Sequence, residues 1–125
     1  MICLDTNYLI LGLVSESREA EQLIAWSRAG ERFCAPAVVW YEFRCGPIDA
    51  RQETTMRALL HDIIPFNSFQ ADEAARLFNA TGRRRPLRVD AMIAAAATSR
   101  HIPLATNNYQ DFLSFTPYGL SLISA

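Results

Sequence analysis

Lysine is missing from this 125-residue chain, and all 12 of its basic residues are arginine. Against 13 acids they leave a formal net charge of −1, which excludes a bulk attraction for nucleic acid and leaves only a local patch to supply one. Cysteine is scarce as well. Cys3, Cys34 and Cys45 are odd in number and widely spaced, so they form no CxxC metal or redox motif; they are expected to be small buried apolar groups in a reducing compartment. No apolar run approaches the roughly 20 residues that cross a bilayer. Asp5 and Asn7 interrupt any leader-like opening, so a soluble protein of the cytoplasm, with no membrane association, is expected. A GxSxG nucleophile signature is absent, and His61 and His101 have no partners at ligand spacing and are expected at the surface. Repeats, low-complexity tracts and linkers are also lacking, so residues 1–125 are expected to form one domain. A chain of this length buries roughly two-thirds of its unfolded surface and needs no metal or disulfide staple to fold.

What is present is an alternation of short apolar runs and helical patterns. Ile2 to Leu4 form a strand candidate with Asp5 at its exit, and Thr6 and Asn7 can turn the chain and cap a helix beginning near Tyr8. A second helix follows Ser17 and stops at Gly30, and Phe33 to Ala35 make a second strand. Pro36 then opens a helix that carries Glu42 and ends at Gly46 and Pro47. Asp49 can cap a helix running through Met56, Leu59 and Leu60. Ile63, Ile64 and Phe66 form a third strand, and the Pro65 within it predicts a sheet edge. Ser68 to about Thr81 reads as a helix with Phe69, Ala74, Ala75, Leu77 and Phe78 on its buried stripe. The loop after it crowds together Arg83, Arg84, Arg85 and Arg88. From Val89 an alanine-rich helix, nearly free of polar side chains, is expected at the centre of the molecule with Asp90 in its first turn. Pro103 to Thr106 return as a strand, TNNYQDF is a polar turn or short helix, and Leu120 to Ile123 close the sheet. Strands separated by helices imply an α/β fold: a three-layer α/β/α domain around a parallel sheet of four to five short strands.

The acids fall where such a fold collects ligands. In a parallel sheet all strand exits share one edge, which would bring Asp5, Thr106 and the nearby Glu42, Asp90 and Asp111 together. Carboxylates meeting there repel one another unless a divalent cation bridges them, and an all-oxygen donor set suits Mg²⁺ or Mn²⁺. A hard cation beside a cluster of arginines points to phosphate chemistry. Each feature also has a plainer reading. Asp-Thr-Asn is a common helix cap, Asp90 can be a dipole partner of its own helix, and a run of arginines is usually a solvated loop.

Four motifs in order then give a resemblance. Leu4-Asp5-Thr6-Asn7, Glu42-Phe43-Arg44-Cys45-Gly46, Asp90 to Ala95, and Thr106-x-Asn108-x-x-Asp111-Phe112 resemble the motifs of the PIN-domain ribonucleases, and within them the VapC-type toxins. The resemblance implies Asp5, Glu42 and Asp90 as principal metal ligands. It also implies Thr106 and Asn108 lining the site and Asp111 as a further carboxylate. Many PIN nucleases place an acid where Asn108 stands, whereas the toxin branch commonly has asparagine. It further implies metal-dependent hydrolysis of RNA to a 5′-phosphate and a 3′-hydroxyl, a homodimer, and inhibition by a cognate VapB-like antitoxin.

On that reading Asp5 and Asp90 hold the ion, Glu42 orients water or takes its proton, Thr6 and Asn7 join the substrate-binding set, and the four clustered arginines grip flanking phosphates. The alternatives are a housekeeping PIN nuclease of RNA processing, a phosphatase using Asp5 as nucleophile, and a non-catalytic RNA-binding module. The phosphatase is disfavoured by Asn7, where such enzymes have a second aspartate.

Overall fold

The computed structural model describes residues 1–123. Its elements run β1 (Ile2–Leu4), α1 (Thr6–Leu11), α2 (Arg18–Arg28), β2 (Phe33–Pro36), α3 (Ala37–Cys45), α4 (Ala50–Leu59), β3 (Leu60–Ile64) and α5 (Ser68–Ala80). A 3-10 turn at Arg85–Leu87 leads into α6 (Arg88–Arg100). Then come β4 (Leu104–Ala105), α7 (Tyr109–Phe112), a 3-10 segment (Leu113–Tyr118) and β5 (Leu122–Ile123). The five strands form one parallel sheet in the order β3-β2-β1-β4-β5, the centre of an α/β/α domain.

This order determines where a site can lie. The chain runs outward from β1 through β2 to β3, then crosses back to place β4 and β5 on the other side of β1. The topological switch point therefore lies between β1 and β4, and ligands in open parallel sheets bind at the carboxyl end of such a point. Asp5 and Thr106 are the first residues beyond those two strands, and the Asp5 N–H donates to the Ala105 carbonyl at 3.0 Å.

The core explains why the short strands hold. β1 is buried along its whole length, as is β2, and both are unbroken runs of the kind a sheet covered on both faces requires. The alanine-rich α6 packs at the centre as expected, with Ile93 and every residue from Ala94 to Ala97 buried. Small side chains let it lie close against its neighbours. Gly12 allows a similar approach where α1 gives way to α2, since a Cβ there would stand 2.6 Å from Leu23 Cδ1.

Several local expectations are corrected. Leu60 is not helical but opens β3, which ends at Ile64, so Pro65 follows the strand instead of interrupting it and Phe66 lies outside. β3 is nonetheless a sheet edge. Phe69 is 66% exposed and Ala75 is exposed too, because the inward face of α5 is set by Gln70, Ala74 and Leu77 at helical spacing. Cys3 and Cys34 are buried, but Cys45, at the last turn of α3, is exposed. Pro36 closes β2 and α3 begins one residue later.

Candidate functional site

Asp5 is delivered to the sheet edge by the apolar run before it, and it caps α1 itself, a role expected of Thr6 and Asn7. Its Oδ1 accepts the Thr6 N–H at 2.8 Å and its Oδ2 accepts the Thr106 hydroxyl at 2.7 Å. The carboxylate is 4% exposed, and burial raises its pKa; the bonds from Thr106 and Thr6 oppose that shift, and the charges of Glu42 and Asp111 add to it. Capping and a role in a site are thus compatible for one residue.

Glu42 projects from α3, held by a rigid helix of nine residues, and its Oε1 accepts the Thr6 hydroxyl at 2.8 Å. It is exposed, so the acid within an apolar stretch is explained by the face it occupies. Asp90 stands in the first turn of α6 and is half-buried. Burial, then the like charges of Asp111, Asp5 and Glu42, push its pKa up to about 6. A residue serving only the helix dipole would sit in favourable positive potential. Here burial, with the like charges of three other carboxylates added to it, outweighs that potential.

Asp5, Thr6, Asn7, Glu42, Asp90 and Asn108 line one pocket of about 280 Å³, with Val89 and Ile93 as its apolar wall. Two further expected residues act on it from behind the lining. Thr106 bonds Asp5 and accepts the Asn108 N–H at 2.9 Å, and Asp111 in α7 adds its charge to that of Asp5 and Asp90. Arg83, Arg84, Arg85 and Arg88 lie outside the lining. They are exposed on the segment that enters α6, and none is ion-paired among the described residues.

Ile93 was not anticipated, although it lies three residues after Asp90 and so on the same helix face. A larger groove of about 570 Å³ between α2 and α4 is lined mainly by apolar residues such as Leu13, Leu23, Ile24 and Leu59. It holds no cluster of acids, so size alone does not mark the site.

The donor set suits a hard divalent cation. All the polar side chains facing the pocket offer oxygen, the acids hold uncompensated negative charge, and nitrogen or sulfur ligands are absent from its wall. Among the described residues no three acidic, histidine or cysteine side chains stand close enough to enclose an ion as they are. Asp5 and Glu42 are instead turned to the threonine hydroxyls. An ion that keeps part of its water shell, as Mg²⁺ does, matches so open an arrangement.

A parallel sheet with an acidic pocket at its switch point defines an α/β protein with a ligand site only in outline, and comparison with known proteins makes it specific. Residues 2–114 match the PIN domain, and the chain belongs to that family. No curated protein matches the sequence. Among solved structures, a toxin–antitoxin complex from Klebsiella pneumoniae is similar with a TM-score of 0.73 and 26% identity, covering 99% of this chain and 97% of that one. FitAcB from Neisseria gonorrhoeae gives 0.71 and 23%, with the same coverage. VapBC2 from Rickettsia felis, solved on a DNA fragment from its promoter, gives 0.71 and 19%, covering 98% of each chain. No helix is long and apolar enough to cross a membrane among the described residues.

Proposed function

We propose that this chain is a VapC-like toxin: a metal-dependent endoribonuclease that hydrolyses RNA phosphodiesters and is silenced by a cognate VapB-like antitoxin. The observation that carries the reading is the convergence of Asp5, Glu42 and Asp90 on one small pocket at the switch point, with Asp90 pushed up to about 6 by burial and its acidic neighbours. The PIN-domain match and the similarity to a Klebsiella pneumoniae toxin–antitoxin complex support the toxin over a housekeeping nuclease. A homodimer in the cytoplasm belongs to the same reading.

Asp5, Glu42 and Asp90 would hold Mg²⁺ or Mn²⁺, with Asp111 adding negative charge from α7. When bound, such an ion offsets the charge that develops on a phosphodiester during hydrolysis and makes water easier to deprotonate. The protein's own groups divide the remaining work. Asp5 is fixed by two hydrogen bonds and keeps its orientation. Glu42 is exposed and held by one hydroxyl, so it can exchange that bond for water and take up its proton. Val89 and Ile93 keep one side of the pocket apolar, which strengthens the electrostatics inside it. Asn108 can donate to a phosphoryl oxygen, and the exposed arginines on the approach to α6 can hold flanking phosphates.

The test is incubation of defined RNAs with purified protein in Mg²⁺, Mn²⁺ or chelator, alongside Asp90→Asn. Cleavage to 5′-phosphate ends that needs the metal and is lost in the variant is expected. Wild-type protein that cuts no RNA with either metal, or a variant that cuts equally well, overturns the reading.

A further inference from the structure

Asp5 and Glu19 are the two buried acids among the described residues, and only Asp5 faces the pocket. Glu19 lies in the first turn of α2, behind the cap Ser17, and is 8% exposed. A carboxylate at that burial needs a partner. Its Oε2 accepts Asn107 Nδ2 at 2.9 Å, a bond spanning 88 residues of sequence. Asn107 sits between Thr106, which bonds Asp5, and the pocket residue Asn108, in the segment that joins β4 to α7. Both flanking elements are short, β4 having two residues and α7 four. The Asn107 Oδ1 is buried with no hydrogen-bond partner among the described residues, where the amide is held by its donor side alone.

We propose that Glu19 is a positioning residue for the pocket: by holding Asn107 it fixes the segment that presents Thr106, Asn108 and Asp111 to Asp5 and Asp90. Thr106 bonds Asp5 and the Asn108 N–H on one side of Asn107, and the Asp111 N–H donates to the Asn108 carbonyl at 3.0 Å on the other. Glu19 is the tie from outside this local set. A helix N-terminus favours a negative group at its place, which suits Glu19 to a static role. The consequence for metal binding rests on the function proposed above, whereas the ordering of the segment does not.

The experiment is native-state amide exchange on the full chain, following Asn108 and Asp111 against Ala94 and Ala95 in α6. Asn107→Ala deletes the donor, and Asn107→Asp sets carboxylate against carboxylate at constant size. Both should speed exchange at Asn108 and Asp111 by about tenfold or more while α6 changes little. Glu19→Gln keeps an acceptor for Asn107 and should exchange as wild type does. In the double variant Glu19→Gln/Asn107→Asp the new amide can donate to the new carboxylate, and slow exchange should return. Native rates at both amides in Asn107→Ala and Asn107→Asp, or a double variant as fast as Asn107→Asp, would overturn the proposal.

A Mn²⁺ titration followed by thermal melting provides the second readout. Asn107→Ala should bind Mn²⁺ several-fold more weakly than Glu19→Gln. Equal affinities in a protein that binds the ion would remove Glu19 from any role in the pocket. Wild-type protein that shows no response to Mn²⁺ counts against the metal site, while the exchange rates still decide the role of Glu19 in the segment.

Discussion

Thr106 Oγ1 donates to Asp5 Oδ2 at 2.7 Å, joining the ends of β4 and β1 across 101 residues of sequence. The same oxygen accepts the Asn108 N–H, so one hydroxyl orients a carboxylate and shapes the loop beside it. Thr106→Val keeps the size of the side chain but leaves a buried carboxylate and an amide short of a partner. It should cost about 1–3 kcal/mol in urea unfolding, and Thr106→Ser should recover most of that. Loss of the donor should also push Asp5 further above the ordinary carboxylate range, because this bond is the first of the effects that lower it.

Asp90 gives the pH dependence. Its folded pKa of about 6 exceeds the unfolded value of about 4, so the folded chain holds the proton more tightly. The resulting contribution to stability is complete below about pH 4 and is lost as pH rises through 6. Asp5, also raised, acts in the same direction. Asp90→Asn should flatten this part of the curve in chelator and leave the protein at pH 7 as stable as wild type or up to about 1 kcal/mol more so, after solvent screening and the weakened dipole contact are allowed for. Urea melts from pH 4 to 7.5 measure it. A variant less stable than wild type at pH 7 would make Asp90 a simple dipole partner.

Added metal should reverse that order. At one hundred times its dissociation constant an ion stabilises the folded state by about 2.7 kcal/mol, and Asp90→Asn should lose most of this gain. Thermal melts of both proteins with and without Mg²⁺ or Mn²⁺ check the prediction; an undiminished metal response in the variant would exclude Asp90 as a ligand.

The arginines before α6 should act on RNA alone. Replacing Arg83, Arg84 and Arg85 with alanine should weaken binding to a single strand, and each lost phosphate contact should flatten the log–log salt dependence by about 0.7. Metal affinity and melting temperature should hold, because the three side chains are exposed and carry no ion pair among the described residues. A salt slope equal to that of wild type identifies the segment as a solvated loop.

The acids should also matter to the antitoxin proposed above. A basic antitoxin segment that places an arginine against Asp5, Glu42 and Asp90 would compensate their crowded charge, so Asp90→Asn should weaken the complex as well as catalysis. Calorimetry with the product of an adjacent small reading frame tests this, and a complex of unchanged affinity whose interface leaves the pocket open would refute it.

Most of the elements, and the chemistry they carry, are legible in local stretches of the chain. Apolar runs, proline and glycine stops and the alanine-rich stretch are local patterns, read within a few residues, and they placed Asp5 and Thr106 at strand exits and Asp90 in a first helical turn. Four short motifs in order carried the family resemblance. Local patterns left the inward faces open, and Phe69, Ala75 and Cys45 turned out exposed because burial depends on what packs against a helix as well as on its own spacing. Leu60 shows the same limit, since the apolar stripe of α4 runs into β3 without a break that sequence alone reveals.

Which side chains meet is a matter of the assembled fold. The strand order put β1 between β2 and β4, and with it came the bonds of Thr6 to Glu42, Asp5 to Thr106 and Asn107 to Glu19, spanning 36, 101 and 88 residues. Such contacts follow from the crossovers that set β2 and β4 on either side of β1, a property of packing that no local window contains. Asp90 is raised by burial and by the charges of Asp111, Asp5 and Glu42 for the same reason: its environment is assembled by the fold.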